Sequence, residues 1–155
     1  MNGKTPSESY TEQVHLVQQS ELNGYGRLFG GVLLSWIDVL AGIVARRHTH
    51  SNVTTAAMDD MSFLGPAYAN DLVVLCGTVT FTGRTSLEVC VKSYVEHMDG
   101  TRSLINVAYV VMVALDETER PVEVPPILPQ TQEEIDAQAA GEKRRIHRVK
   151  HMKKM

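Results

Sequence analysis

Along residues 86–96, Leu87, Val89, Val91, Ser93 and Val95 alternate with Glu88, Cys90, Lys92, Tyr94 and Glu96. A period of two predicts a β-strand. Residues 52–61, 72–82 and 103–115 read as further long strands, rich in Val, Thr and Leu. Gly83-Arg84-Thr85 and Asp99-Gly100-Thr101 are turn-like, so the last three strands form an antiparallel meander. Residues 9–19 alternate more loosely and predict an edge strand. From about Gly30 to Arg47 the pattern changes to a helix, in which Val32, Leu33, Trp36, Ile37, Leu40, Ile43 and Val44 cover more than one face. A helix this apolar around its circumference is expected inside a core. Pro121 to Pro129 ends the sheet, and Thr131 with Glu134 three residues later marks the start of a second helix by a capping box. One strand, one buried helix and four strands predict an α+β fold: a curved antiparallel sheet wrapped around a long central helix. The domain covers residues 1–129, and residues 130–155 form a C-terminal helix and basic tail.

At 155 residues the chain has room for a single domain. Its longest apolar run, Val107 to Leu115, is far too short to span a bilayer. Residues 1–20 show no apolar signal core, and Cys76 and Cys90 have no metal or redox spacing. These features predict a cytoplasmic protein in a reducing compartment, with no membrane partner. The net charge of −3 is unevenly spread: seven basic residues fall between Lys143 and Lys154, opposed there only by Glu142. Residues 142–155 therefore carry +6 and residues 1–141 carry −9. A basic tail suits a phosphate-bearing ligand, and it also suits plain solvation.

Asp38 stands out because it lies in the most apolar segment of the chain, next to Ile37. A buried carboxylate costs several kcal/mol unless it is paired, hydrated or protonated. It is either a structural Asp tied to amides or a base or nucleophile tuned by burial. Gly30 and Gly31 precede it at the helix start, where bare backbone amides favour negative charge on a ligand oxygen. Asn23 adds a polar side chain in the same loop. His48 and His50 lack a third metal ligand at a useful spacing, so no metal is expected. Asp59 and Asp60 are neighbours on a strand, where side chains point to opposite faces and cannot form a carboxylate pair. Ser35 has no nearby histidine to activate it.

The string Asn23-x-x-Gly26-x-x-Phe29-Gly30-Gly31-x-x-Leu34-x-x-x-Asp38 resembles the bacterial acyl-CoA thioesterases of the hot-dog fold. Segments Thr54 to Phe63 with Pro66, Asp71 to Val73, Gly83 to Val89 and Met112 to Asp116 match the same family in order and spacing. The resemblance implies hydrolysis of an acyl-CoA thioester, with Asp38 as the catalytic carboxylate and Asn23 as its assisting amide. It implies that Gly83, Arg84, Thr85 and Ser86 meet coenzyme A, Arg84 being the natural anion partner. It also implies a homo-oligomer, a trimer of dimers. Coenzyme A is then part of substrate and product, and no separate cofactor is expected. The charge of the tail adds Lys143, Arg144 and Arg145 as candidates for the nucleotide phosphates.

Three rivals remain open to comparison. A non-catalytic acyl-CoA sensor has no need of a carboxylate at position 38. A dehydratase of the same fold wants a histidine in the central helix, and residues 32–46 contain none. Nucleic-acid binding through the tail is disfavoured, since residues 142–155 contain no aromatic residue. Helix geometry adds one expectation. Gly30 and Asp38 on one helix are about 12 Å apart along its axis, too far to serve one carbonyl. A site using both must therefore draw on two antiparallel helices, hence on two subunits with a dimer as the minimum active unit.

Overall fold

The computed structural model describes residues 1–154, apart from the side chain of Asp60. Five strands form one antiparallel sheet: β1 (Thr11–Leu16), β2 (Asn52–Phe63), β3 (Leu72–Thr82), β4 (Ser86–Glu96) and β5 (Arg102–Leu115). Their order is β1-β3-β4-β5-β2, so β3, β4 and β5 are the expected meander and β2 is an outer strand. Helix α1 (Gly30–Thr49) lies in the concave face of the sheet, and α2 (Gln132–Lys153) packs beside β3 on the chain's return. This is the predicted wrapped sheet with a C-terminal helix. No helix among the described residues is long and apolar enough to cross a membrane.

Leu33, Ile37, Leu40, Ala41, Val44, Ala45 and His48 are the buried residues of α1. Their spacing of three and four makes one stripe, which meets the inward positions Val73, Leu75, Val89, Val91, Ala108 and Val110. The expectation of a helix covered all round is corrected here. Ser35 is exposed, and Val39 is 58% exposed on the side away from the sheet. One sheet can cover only one side of a helix, so the remaining apolar face needs another surface.

The C-terminal helix carries the basic residues. Residues 132–153 form one continuous helix seated on the domain, not a solvated appendage. Thr131 Oγ1 accepts from the Glu134 amide at 3.1 Å, as the capping signal predicts. The return bond goes one residue further back than in a capping box, from the Gln130 amide to Glu134 Oε1 at 2.7 Å.

His48 is fully buried, and its Nε2–H donates to the Pro125 carbonyl at 2.7 Å, while Nδ1 has no partner among the described residues. Burial holds its pKa below the usual histidine range. Burial lowers His15 as well, whose ring stacks on Trp36 at 4.1 Å and 8°. On acidification the unfolded chain takes up these protons first, so stability is full above about pH 6.5 and falls as pH drops toward the folded values. Thermal unfolding of wild type should move down by a few degrees between about pH 7 and 5. His48→Gln, which can still donate to Pro125, should flatten that slope in part. An unchanged slope in the variant rejects His48 as a source.

Candidate active site

The loop before α1 is built around Asn23. Its Oδ1 accepts from the amides of Tyr25 (2.9 Å) and Arg27 (3.2 Å), and the turn is completed by Gly26 at a φ of +76°, which favours glycine. The oxygen is thus committed to the loop, while among the described residues nothing accepts from Nδ2. The same loop opens the helix. Phe29 O takes the amides of Val32 and Leu33, and neither Gly30 N–H nor Gly31 N–H has an acceptor among the described residues. A Cβ on Gly30 would meet nothing nearer than Phe63 Cε1 at 3.9 Å, so packing does not demand glycine there. Asn23 and Gly30 line one cavity of about 450 Å³ with Leu33, Phe63, Ala67 and Ile105. That cavity can receive a polar oxygen at its amides and apolar groups along its wall.

Asp38 is absent from that cavity. It is half-buried, at the border between the buried stripe of α1 and its exposed face. This corrects the expectation of a carboxylate enclosed by the core of its own chain. Thr55 on β2 donates its hydroxyl to Asp38 Oδ1 at 2.6 Å, which fixes the carboxylate and leaves Oδ2 free to act. Sequence alone gives Thr55 no role, although it lies in one of the segments that carry the resemblance. Ser35 is tied to its own helix, Oγ donating to the Val32 carbonyl at 2.7 Å. Asp59 is turned toward α2, where Arg148 Nη1 lies 2.6 Å from its Oδ2.

The turn at Gly83 to Ser86 lies elsewhere again. The Gly83 amide bonds to Ser86 O (2.8 Å), the Val124 amide to Arg84 O (2.8 Å) and the Ala114 amide to Thr85 O (3.0 Å). β3 separates this turn from the end of the sheet near Asn23, and eleven residues of strand span roughly 33 Å. The Arg84 side chain is exposed and without an ion-pair partner among the described residues. Arg145 is half-buried and lies so close over Gly83 that a Cβ there would overlap its Nη1. Lys143 is exposed and lines a cavity with Asp59, Arg144 and Arg148. Arg144 is turned inward, with two hydrogen bonds to Glu88 at 2.8 and 2.9 Å. Within one chain, then, Asn23 meets Gly30, Asp38 meets Thr55, and the turn meets Arg145, but the three groups do not meet one another.

A sequence profile described as the thioesterase superfamily matches residues 25–100. An uncharacterized acyl-CoA thioester hydrolase of Bacillus subtilis is 40% identical over 138 residues, which is 85% of this chain and 80% of that protein. Matches to mammalian proteins are partial: the chain spans 20% of mouse acyl-coenzyme A thioesterase 11 and 35% of the rat cytosolic acyl coenzyme A thioester hydrolase. Among solved structures, an apo-hexameric acyl-CoA thioesterase superposes with a TM-score of 0.94 at 36% identity, covering 98% of both chains. The acyl-CoA hydrolase of Staphylococcus aureus, in complex with butyryl coenzyme A, coenzyme A and coenzyme A disulfide, superposes at 0.89. It is 28% identical over 97% of this chain and 95% of that one. The same enzyme has been solved with one Asn, one Asp and one Thr each replaced by Ala.

Proposed function

The chain belongs to the thioesterase superfamily as an acyl-CoA thioester hydrolase, and from that premise we propose how its residues divide the reaction. The open amides of Gly30 and Gly31, with Asn23 Nδ2, bind the thioester oxygen and stabilise the charge that develops on it. Loss of one such donor costs about 3–4 kcal/mol in comparable sites. Asp38, held through Oδ1 by Thr55, uses its free oxygen to take a proton from the attacking water or to attack the carbonyl itself. The thiolate of coenzyme A leaves and takes up a proton, and water, attacking the carbonyl or opening the anhydride, completes the free acid.

The observation that carries this reading is the pairing of a fixed carboxylate with a separate cluster of unpartnered donors. The Asn, Asp and Thr replaced in the Staphylococcus aureus enzyme have the same spacing along that chain as Asn23, Asp38 and Thr55 here, which supports the assignment. Gly83, Arg84, Thr85 and Ser86 receive the pantetheine and phosphates, with Lys143 and Arg145 as further cations for the nucleotide. Arg144 acts on the protein itself. The hexameric thioesterases that superpose on the chain support a homo-oligomer. We take the two-fold dimer as its smallest active unit and a trimer of dimers as the assembly. Relatives named as cytosolic fit a cytoplasmic enzyme.

The test is release of free thiol from acyl-CoA esters of graded length. Binding without thiol release at every length fits the sensor and sinks the reading. On the preferred ester, Arg84→Ala should raise KM about tenfold, the worth of one charge-assisted hydrogen bond, and leave kcat near wild type. A collapse of kcat at constant KM moves Arg84 into the chemistry.

A further inference from the structure

Helix α2 is seated on the domain in an unusual way. Its large apolar residues Ile135, Ile146, Val149 and Met152 are exposed, and its buried residue is Gly141. Toward the sheet it turns the small residues Ala137, Ala140 and Gly141 together with charge. Glu88 on β4 is 3% exposed and accepts from Arg144 Nε (2.9 Å), Arg144 Nη2 (2.8 Å) and Thr80 Oγ1 (2.6 Å). The Arg144 guanidinium lies 3.7 Å over the ring of Tyr109. One turn further along the same helix face, Arg148 bridges to Asp59 at 2.6 Å. Gly141 lets this face come close, since a Cβ there would sit 2.7 Å from Phe81 Cβ and 2.9 Å from Glu88 Oε1.

A buried ion pair adds little net stability against an apolar alternative, but its directional bonds fix geometry well. The residue after Arg144 is Arg145, whose guanidinium covers Gly83 and has no acceptor among the described residues. With only small residues to seat α2, the direction in which Arg145 points depends on the charge pairs beside it. We propose that Glu88 is a positioning residue for coenzyme A. It holds Arg144, and through it α2, so that Arg145 stands over the Gly83–Ser86 turn ready for a phosphate. This rests on the reading that the nucleotide phosphates bind at that turn.

The experiment compares an acyl-CoA with the matching acyl-pantetheine, which lacks the nucleotide and its phosphates. Arg145→Ala should raise KM for the acyl-CoA about tenfold and leave acyl-pantetheine kinetics unchanged. Glu88→Gln should do the same with kcat near wild type, and should add nothing further in the Arg145→Ala background. Wild-type KM in Glu88→Gln beside a raised KM in Arg145→Ala overturns the positioning role and spares the nucleotide reading. Wild-type KM in Arg145→Ala overturns that reading, and the positioning role falls with it. Equal losses on both substrates mark Glu88 as generally structural and also overturn the proposal. If Glu88→Gln does not fold, Glu88→Leu combined with Arg144→Leu removes both charges and leaves neither unpaired. A raised KM confined to the acyl-CoA then supports the positioning role, and a wild-type KM or an equal loss on both substrates overturns it.

Discussion

Asp38→Asn should lower kcat for acyl-CoA hydrolysis by about 10³-fold while KM stays close to wild type. The replacement keeps the shape of the side chain, and its amide oxygen can still accept the Thr55 hydroxyl that now lies 2.6 Å from Oδ1. What it removes is the ability to take a proton or to attack a carbonyl. Neither proposed substrate anchor, Arg84 or Arg145, is touched, which is why the loss belongs in turnover. Wild-type kcat in a folded Asp38→Asn protein would return Asp38 to the role of a structural Asp. A single turnover in ¹⁸O-labelled water tests for the nucleophilic role of the carboxylate. Label found in Asp38 marks an anhydride opened by water at the Asp38 carbonyl, whereas label confined to the fatty acid is common to direct attack by water and to an anhydride opened at its acyl carbon.

The strands and helices are legible in the sequence because each carries its own period. The residue types from Leu87 to Val95 alternate by two, although α2 buries Glu88 on the other face, and the buried stripe from Leu33 to His48 repeats by three and four. The separation of Gly30 from Asp38 is legible too, since helical rise per residue is constant. The partial exposure of Asp38 is not, for a definite reason. An apolar face reserved for another chain has the same composition as one facing the core, and Val39 is 58% exposed here. Thr55 is a threonine on a strand, with nothing local to mark it; its role comes from a contact 17 residues away. The tail looks like loose charge in sequence because the partners of Arg144 and Arg148 lie 56 and 89 residues distant, at Glu88 and Asp59. Pairings of that range follow from the fold, not from any local pattern.

Asn23→Ala and Asp38→Ala should each be nearly inactive alone, yet recover activity when their subunits are mixed. The expectation comes from where the single chain leaves its parts. Asn23 and Gly30 share a cavity that does not include Asp38, and about 12 Å of helix separates Gly30 from Asp38. A polarising amide and an acting carboxylate must both come within about 3 Å of one carbonyl or its water. Two antiparallel copies of α1 side by side satisfy this, because the start of one then lies beside the middle of the other. The surface for that contact is present: Val39 on α1, Phe63 at the end of β2, and β2 itself as an outer strand. In an isologous dimer each site then takes Asn23 from one chain and Asp38 from its partner. Equal amounts of the two variants, unfolded together and refolded, should give mixed dimers as about half of the total. Each mixed dimer has one site with both residues intact and one with neither, so about a quarter of the wild-type sites should return. Native mass spectrometry shows whether subunits have exchanged. If they have, and activity stays at the level of either parent, then Asn23 and Asp38 do not serve one substrate across the dimer.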